Sequence, residues 1–308
     1  MLAVRFVDAT YAHDVCSSIR HRSWDPMVEW EGTEGAERHD RPSGFPGRAA
    51  FPATRDTLWG MTTTDDPGPT AATEPARHLP LDGTRNVRDV GGYPTANGRR
   101  TRWRTLLRSD ELTRLPDETE DALVDLGLRQ VIDLRWPEEL VISPNTFDGS
   151  SAVRYTSVPL LADDPTPHAG LAGMYRHVLD ARAPQLAEVV RALLADGGLP
   201  AVIGCAAGKD RTGVTIALLL DLCGVPRDVI IEDYAMSAAF FASPVAHMEL
   251  DDWRHGSLIV DSPPEFMASA LEHLDTEHGG ARSLLLDQGV TAAELDKLVE
   301  LLTEPASD

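Results

Sequence analysis

A cysteine and an arginine that could act together in chemistry stand six positions apart near residue 205. Cys205 and Arg211 flank five small or polar residues; an apolar stretch at 199–203 precedes them and a helix-like run at 213–220 follows. This order predicts a strand, a tight loop and a helix N-terminus. The first N–H groups of a helix are unpaired and carry partial positive charge, so they can bind a phosphate dianion. The pattern therefore predicts a thiol beside a phosphate-binding loop.

The residue types in this loop suit phosphoryl transfer. Arg211 can hold two phosphate oxygens with its planar guanidinium, which a lysine cannot do in the same way. The positive field at the helix N-terminus favours the thiolate of Cys205, which is the nucleophilic form. Thr212 can donate its hydroxyl to that sulfur, or it can cap the helix. We expect the phosphate to be bound by Ala206, Ala207, Gly208, Lys209, Thr212 and Gly213.

A nucleotide-binding loop is a second interpretation of the Gly-Lys pair. That loop requires G-x-x-x-x-G-K-[ST]. Here Gly204 lies only four residues before Gly208, and Asp210 follows the lysine. The spacing excludes this interpretation.

The loop resembles the C-x5-R-[ST] catalytic loop of cysteine-based phosphatases, and four further blocks extend the resemblance. They resemble motifs of the bacterial tyrosine and phosphoinositide phosphatases similar to mycobacterial protein tyrosine phosphatase B. The blocks are N-V-R-D-V-G-G-Y at 86–93, L-R-S-D-E-L at 107–112, V-I-D-L-R at 131–135 and D-V-I-I-E-D-Y at 228–234. They follow the order found in that family and cover roughly residues 80 to 304.

The general acid is less well defined than the nucleophile. The resemblance implies a catalytic part for an aspartate at the position of Asp210. Family members also carry an aspartate in a segment near Asp163, so Asp163 and Asp164 remain alternatives. The triplet that begins at Trp136 (Trp-Pro-Glu) is superficially similar to the W-P-D acid loop of classical tyrosine phosphatases. It directly follows the 131–135 strand, and we interpret it as a turn that starts a helix.

Several other positions have expected roles or depart from the family pattern. Gly204 stands where most cysteine phosphatases have a histidine, which predicts reduced activity. Lys209 creates a C-x3-K-x-R-[ST] spacing that resembles loops accepting inositol phosphates as well as phosphotyrosine. Two ion pairs are expected, Arg108 with Asp110 and Asp133 with Arg135. A further polar group is expected to support the loop or to form a buried network: Asn86, Arg88 and Asp89.

The elements around the loop alternate between strands and helices. Short strands are expected at 131–134 and 153–159, in addition to the one before Cys205. Helices are expected from about 115 to 126, and then near 171–196, 213–223, 226–243, 263–275 and 291–303. Alternation of this kind predicts an α/β fold with a central, mostly parallel sheet flanked by helices, like that of the cysteine phosphatases. The loop would lie at the carboxyl end of its strand, where ligands bind in such sheets.

The N-terminal part of the chain has a different composition. Residues 1–77 show neither helical nor strand periodicity and are rich in Gly, Pro, Thr, Asp and Arg. Such a composition buries too little apolar surface to offset the entropy of ordering. We therefore expect a disordered, low-complexity extension at 1–77 and a phosphatase domain at 78–304.

Composition also limits where the protein acts and with what. The chain has 308 residues and a formal net charge of −21, which argues against nucleic acid as a partner. Its three cysteines cannot form a disulfide framework and fit a reducing compartment. Without a signal peptide pattern or a membrane-length apolar run, we expect a cytoplasmic protein with no integral membrane association. The ten histidines show no local metal-binding spacing, so we expect no metal and no cofactor.

The leading hypothesis is a hydrolase that acts on phosphotyrosine proteins through a phosphocysteine intermediate. Phosphoinositides and other phosphomonoesters are possible further substrates. A non-catalytic phosphate-binding module is the first alternative, because of Gly204 and the open assignment of the acid. A thiol enzyme similar to rhodanese or arsenate reductase is the second, since both place a cysteine in an anion-binding loop.

Overall fold

The fold was taken from a computed structural model, which describes residues 75–161, 170–241 and 261–306. Seven strands are present in these residues: β1 Arg88–Asp89, β2 Arg99–Thr101, β3 Leu106–Ser109, β4 Gln130–Asp133, β5 Arg154–Ser157, β6 Ala201–Gly204 and β7 Thr303–Pro305. The helices of the same residues are α1 Asp117–Asp125, α2 Pro137–Ile142, α3 Gly170–Ala181, α4 Ala183–Leu194, α5 Asp210–Leu222, α6 Arg227–Ala235, α7 Ser237–Phe241, α8 Pro264–His278, α9 Ala281–Asp287 and α10 Ala292–Leu302.

A five-stranded sheet organises the fold, with strand order β1-β3-β6-β4-β5. Strand β6 lies at its centre and pairs in parallel with β3 on one side and β4 on the other, and β5 pairs in parallel with β4. Only β1, at one edge of this sheet, is antiparallel. Strands β2 and β7 form a separate two-stranded antiparallel sheet. The predicted α/β fold with a mostly parallel central sheet is confirmed.

The three inner strands of the central sheet, β3, β4 and β6, are buried at every position, whereas the edge strand β5 is partly exposed. Leu106, Ile132 and Ile203 belong to the larger hydrophobic core, and their neighbours along the strands belong to a second core that includes Leu123 of α1. This alternation follows from the period of two residues in a strand. Helix α5, which follows the loop, is buried at every position from 212 to 220, so it is apolar all round.

The helix boundaries differ from the sequence expectation at three places. The single helix expected at 171–196 is two helices, because Pro184 stands in the first turn of α4 and lacks the N–H that a continuous helix would need there. The helix expected at 226–243 ends at Ala235, and the short α7 follows. Helix α9 was not expected.

The longest helix in the described ranges is α8 with 15 residues, and none there is both long and apolar enough to cross a bilayer.

Candidate active site

The predicted loop connects the central strand to a helix, as expected. Strand β6 ends at Gly204, Cys205 follows with 3% exposure, and α5 begins at Asp210. Gly204 is level with Ser109 of β3 and Asp133 of β4. The loop therefore lies at the carboxyl ends of three parallel strands, where α/β sheets bind ligands.

Two glycines allow this loop to lie against strand β3. Gly208 has a φ of +63°, and a Cβ there would come within 2.3 Å of the carbonyl oxygen of Ser109. Both the backbone conformation and the space therefore require glycine. At Gly204 a Cβ would lie 2.6 Å from the hydroxyl oxygen of Ser109. Any larger residue at position 204 would require Ser109 to move. This includes the histidine that most cysteine phosphatases have there.

The carbonyl groups of the loop are bound from its outer side. Each of three successive carbonyls accepts a hydrogen bond from another element: Ala206 from the amide of Glu111 (3.2 Å), Ala207 from the side chain of Asn86 (2.9 Å) and Gly208 from the guanidinium of Arg108 (2.7 Å). In a trans peptide the N–H points opposite to the C=O. The following amides, those of residues 207 to 209, therefore face the inner side of the loop, where they can bind an anion.

A buried ionic network holds Arg108 on this outer side. Arg108 forms an ion pair with Asp233, and Arg88 donates to the carbonyl oxygen of the same residue at 2.8 Å. The hydroxyl of Tyr93 donates to the carboxylate of Asp233 at 2.9 Å. Burial acts to raise the pKa of Asp233, but the charges of Arg108 and Arg88 outweigh it and the pKa is lowered. Asp233 therefore stays ionised within the core.

One of the two expected ion pairs is present and the other is wrong. Asp133 and Arg135 pair at 2.8 Å, as predicted. Arg108 does not pair with Asp110, because Asp233 of α6 occupies that role. The carboxylate of Asp110 instead accepts the backbone amides of Arg85 (2.9 Å) and Asn86 (3.1 Å). Asp110 thus fixes the segment from which Asn86 reaches the loop, so the loop-supporting role expected of Asn86 is confirmed.

Arg211 lies at the other end of the loop and pairs with a residue that sequence reasoning missed. Its two terminal nitrogens donate to the two carboxylate oxygens of Glu139, at 2.6 and 2.8 Å. The guanidinium carbon also lies 5.5 Å from the ring centroid of Trp136. Burial would lower the pKa of Arg211, but the hydrogen bonds with Glu139 and the charge of Cys205 raise it. Arg211 is therefore a permanent cation next to the thiol.

The pairing with Glu139 leaves one edge of the guanidinium available. Nη1 donates to Glu139 and, at 3.5 Å, to the carbonyl of Leu134, and Nη2 uses one N–H for Glu139. No described residue accepts from Nε of Arg211. The Nε and Nη2 edge presents two parallel donors, which match two oxygens of a phosphate. Glu139 thus orients Arg211 without occupying both of its forks.

The position of Glu139 follows from the turn that begins at Trp136. Helix α2 starts at Pro137, and the amide of Trp136 donates to the carboxylate of Glu139 at 2.7 Å, which is one of the two hydrogen bonds of a capping box. The interpretation of the Trp-Pro-Glu triplet as a helix start is confirmed. A glutamate at the third helical position was the available signal for Glu139. The capping position does not predict the second partner of Glu139, because Arg211 lies 72 residues further along the chain.

Asp210, the expected general acid, is the first residue of α5 and is fixed by a buried tyrosine. The hydroxyl of Tyr175 on α3 donates to Oδ1 of Asp210 at 2.5 Å and lies 2.6 Å from the hydroxyl of Tyr234. Burial and the charge of Asp210 raise the pKa of Tyr175, so Tyr175 remains a neutral donor. The side chain of Asp210 is 22% exposed, and its Oδ1 also lies 3.6 Å from the ammonium of Lys209. The alternatives Asp163 and Asp164 lie outside the described residues.

The remaining predicted phosphate ligands differ in their surroundings. Lys209 is fully buried and its ammonium donates to the carbonyl oxygen of Asp261 at 2.6 Å, so it is not a solvated cation above the loop. Thr212 is also buried, and its hydroxyl has no hydrogen-bond partner among the described residues. A hydrogen bond from Thr212 to the sulfur of Cys205 is thus not formed in this structure. The hydroxyl can therefore form a hydrogen bond with an oxygen or sulfur atom of a bound ligand.

A buried cysteine after a central parallel strand, a loop with inward amides and an oriented arginine define the class of a cysteine-based phosphatase. A model of the tyrosine phosphatase family matches residues 79–304, and the chain belongs to that family.

Known relatives carry the same description. Over 211 residues the chain is 30% identical to a tyrosine-protein phosphatase of Nostoc commune, a match that covers 62% of this chain and 72% of that protein. Over 271 residues it is 28% identical to the triple specificity protein phosphatase PtpB of Mycobacterium tuberculosis, covering 71% and 96%. Among solved structures, TpbA of P. aeruginosa matches at 19% identity with a TM-score of 0.34, covering 63% of this chain and 91% of that one. The chain is a protein tyrosine phosphatase by family.

Proposed function

We propose that this phosphatase hydrolyses phosphotyrosine, and phosphoinositides as further substrates, through a phosphocysteine intermediate on Cys205. The observation that carries the proposal is the position of Cys205 at the base of a loop whose carbonyls are bound outward. The amides of residues 207 to 209 and the N-terminus of α5 then stabilise negative charge on the inner side. A thiolate there meets the phosphorus of a bound monoester directly.

Each step assigns a bond and a proton to a named group. The thiolate of Cys205 attacks phosphorus while the bond from phosphorus to the leaving oxygen breaks, and Asp210 gives that oxygen its proton. Arg211 neutralises the equatorial oxygens with its Nε and Nη2 edge. Water then attacks the phosphocysteine, its proton passes to Asp210, and inorganic phosphate leaves as the thiolate is restored. Donation from Thr212 to that sulfur would require its hydroxyl, which makes no such bond in this structure, to turn toward Cys205.

Support for phosphoinositides comes from the C-x3-K-x-R spacing of the loop. Because Lys209 is buried against Asp261, it would add positive charge beneath the loop. It would not reach out to bind a second phosphate of the substrate. The substrate classes therefore have to be compared directly.

The test measures hydrolysis of a phosphotyrosine peptide, a phosphoinositide and an aryl phosphate in the presence of a metal chelator. The wild-type chain is expected to turn over at least the peptide. Cys205→Ser should keep phosphate-analogue binding and lose turnover, because a serine hydroxyl is a far weaker nucleophile. Cys223→Ser is the matched control, since Cys223 is also buried but follows the other end of α5. Undiminished turnover by Cys205→Ser would exclude the mechanism, and phosphate binding without turnover by the wild type would favour a non-catalytic module.

The assignment of the acid needs its own experiment. A general acid contributes about 10²–10⁴-fold, mostly for poor leaving groups. Asp210→Asn should therefore slow a tyrosyl or alkyl phosphate far more than a nitrophenyl phosphate. Asp228→Asn, in the first turn of α6, is the control for the change of charge. Equal slowing of both substrates would make Asp210 a structural residue, and the same leaving-group dependence in Asp163→Asn or Asp164→Asn alone would move the acid there.

A further inference from the structure

A second cluster of chemically active side chains lies outside the catalytic loop, where helices α3 and α8 meet. Asp180 is the penultimate residue of α3, and His273 and His278 both belong to α8. The Nε2 atoms of the two imidazoles lie 2.7 and 2.8 Å from the same carboxylate oxygen of Asp180. Both contacts are hydrogen bonds, so the two nitrogens converge on this oxygen. The ring centroids are 5.8 Å apart and the ring planes are inclined at 73°.

This donor set is one that divalent transition ions prefer. Two imidazole nitrogens and one carboxylate oxygen form a common protein ligand set for Zn²⁺, and all three atoms lie within 4.8 Å of one another. Zinc bonds of about 2.0–2.2 Å in a tetrahedron place ligand atoms about 3.3–3.5 Å apart. Because the observed distances are 2.7 and 2.8 Å, the carboxylate oxygen is about 0.5–0.8 Å too close to each nitrogen. Asp180 is 48% exposed, so its side chain can retreat by that distance without disturbing the core.

The two histidines are better fixed than the aspartate. Their side chains are only 18% and 21% exposed, because they lie on the side of α8 that packs against α3. The two imidazoles are therefore the better fixed ligands, and the more exposed carboxylate supplies the third. Positions not taken by the three ligands are open to water, which completes the shell of a bound zinc ion.

We propose that Asp180, His273 and His278 bind one zinc ion that cross-links α3 to α8. Local sequence spacing could not show this site, because Asp180 and His273 are 93 positions apart. If the site binds zinc, the sequence-based expectation that the chain holds no metal is wrong.

The ion would be structural, with no part in phosphoryl transfer. Helix α3 and the segment just before α8 each contact a residue at the junction of the catalytic loop and α5. Helix α3 carries Tyr175, which binds Asp210, and the carbonyl of Asp261, just before α8, accepts from Lys209. Because binding stabilises only the folded state, zinc should raise the melting temperature of the whole chain.

The experiment is a calorimetric titration of Zn²⁺ into the metal-free, full-length chain that carries Cys205→Ser. This background removes the catalytic thiol as a competing ligand. We expect one ion bound at micromolar or lower concentration, with a rise in melting temperature. His273→Ala, His278→Ala and Asp180→Ala should each weaken this binding by more than about 10-fold, since even outer-shell changes cost that much. Glu277→Gln, a neighbouring exposed acid on α8, is the matched control and should bind as the parent does.

Two further measurements separate this site from other zinc ligands and from misfolding. With Co²⁺ in place of zinc, the parent should show d–d absorption without a thiolate charge-transfer band, and the three ligand variants should lose it. Circular dichroism without metal should be the same for all variants. The proposal is overturned if the parent binds no zinc, or if the three ligand variants bind it as tightly as Glu277→Gln does.

Discussion

The two sides of the catalytic loop are built differently, and two arginines show the contrast. On the outer side Arg108 is fully buried, paired with Asp233 and donating to the loop carbonyl of Gly208. On the inner side Arg211 is paired with Glu139 and keeps one fork of donors available. Both side chains are charged and oriented by a carboxylate. In the proposed mechanism only Arg211 binds the phosphate.

The carboxylates that pair with these two arginines, Asp233 and Glu139, are held by different surroundings. Asp233 belongs to a core network in which Arg88 and Tyr93 also bind it, so it cannot move without unfolding that region. Glu139 belongs to the short helix α2, which has no fully buried residue. The outer side therefore serves the shape of the loop, and the inner side serves the ligand. Changes on the outer side should be measured as lost stability, and changes on the inner side as lost rate.

The largest expected effect is on the outer side. Arg108→Met leaves the carboxylate of Asp233 in the core without its closest cation, and removing one partner of a buried pair costs about 3–5 kcal/mol. The free energy of unfolding, from urea titration, should fall by that amount. Arg282→Met breaks a surface pair with Asp296 and should cost less than about 1 kcal/mol. Equal losses for the two variants would refute a structural role for Arg108.

The matching change on the inner side should affect catalysis instead. Arg211→Lys keeps the charge but loses the planar fork, and a well-placed donor contributes about 2–4 kcal/mol of transition-state stabilisation. The ratio kcat/KM should fall by the corresponding factor, while the urea midpoint stays near that of the wild type. An unchanged kcat/KM would mean that Arg211 does not bind the phosphate, and a large loss of stability would erase the contrast with Arg108.

Asp110 gives the outer side a dependence on pH. Burial raises its pKa from 3.8 to about 6, despite the amides of Asn86 and Arg85 that favour the carboxylate. The folded state therefore binds this proton more tightly than the unfolded chain does. The protonated Asp110 therefore adds about 2–3 kcal/mol to the free energy of unfolding. This contribution is fully present below about pH 4 and is lost as the pH rises through about 6.

Unfolding free energies of the wild type and of Asp110→Asn, measured between pH 4 and 7, test this prediction. Other groups titrate in both proteins, so the difference between the two curves isolates Asp110. The difference should change across this range, with the wild type losing stability relative to the variant as pH rises. Parallel curves would show that Asp110 has an ordinary pKa.

The smallest effect is expected for Tyr175, which positions Asp210 on the inner side. Tyr175→Phe removes one hydrogen bond to that carboxylate, which is expected to cost about 10-fold in rate. The loss should be larger for a tyrosyl phosphate than for a nitrophenyl phosphate, since it acts through the acid. Tyr234→Phe is the matched control, because the hydroxyl of Tyr234 meets that of Tyr175. A loss independent of the leaving group would reduce Tyr175 to a packing residue.

The sequence predicted those parts of the molecule that depend on local order. The strand, loop and helix around Cys205, the helix start at Trp136 and the pair of Asp133 with Arg135 all involve residues close together in the chain. For each of them the residue type and its neighbours fix the structure. The fold class followed from the alternation of such elements.

The parts that could not be predicted join residues far apart in the chain. Glu139 meets Arg211 across 72 positions, and Asp233 takes the role expected of Asp110 across 125 positions from Arg108. An opposite charge nearby in the sequence is a weak predictor of an ion pair. A buried charge pairs with the residue that lies beside it in the folded core, whatever their separation along the chain. The break before α4 is different, because Pro184 was a readable signal within an otherwise helical pattern.

The most direct test of the account is to trap the intermediate on Cys205. The enzyme would be mixed rapidly with an activated aryl phosphate labelled at phosphorus, quenched in denaturant and digested, and the labelled peptide identified by mass spectrometry. The account predicts a phosphoryl group on the peptide that contains Cys205, formed and lost at rates consistent with turnover, and no label in Cys205→Ser. Turnover by the wild type with the label on another residue, or with no covalent label under conditions that should accumulate it, would contradict the account.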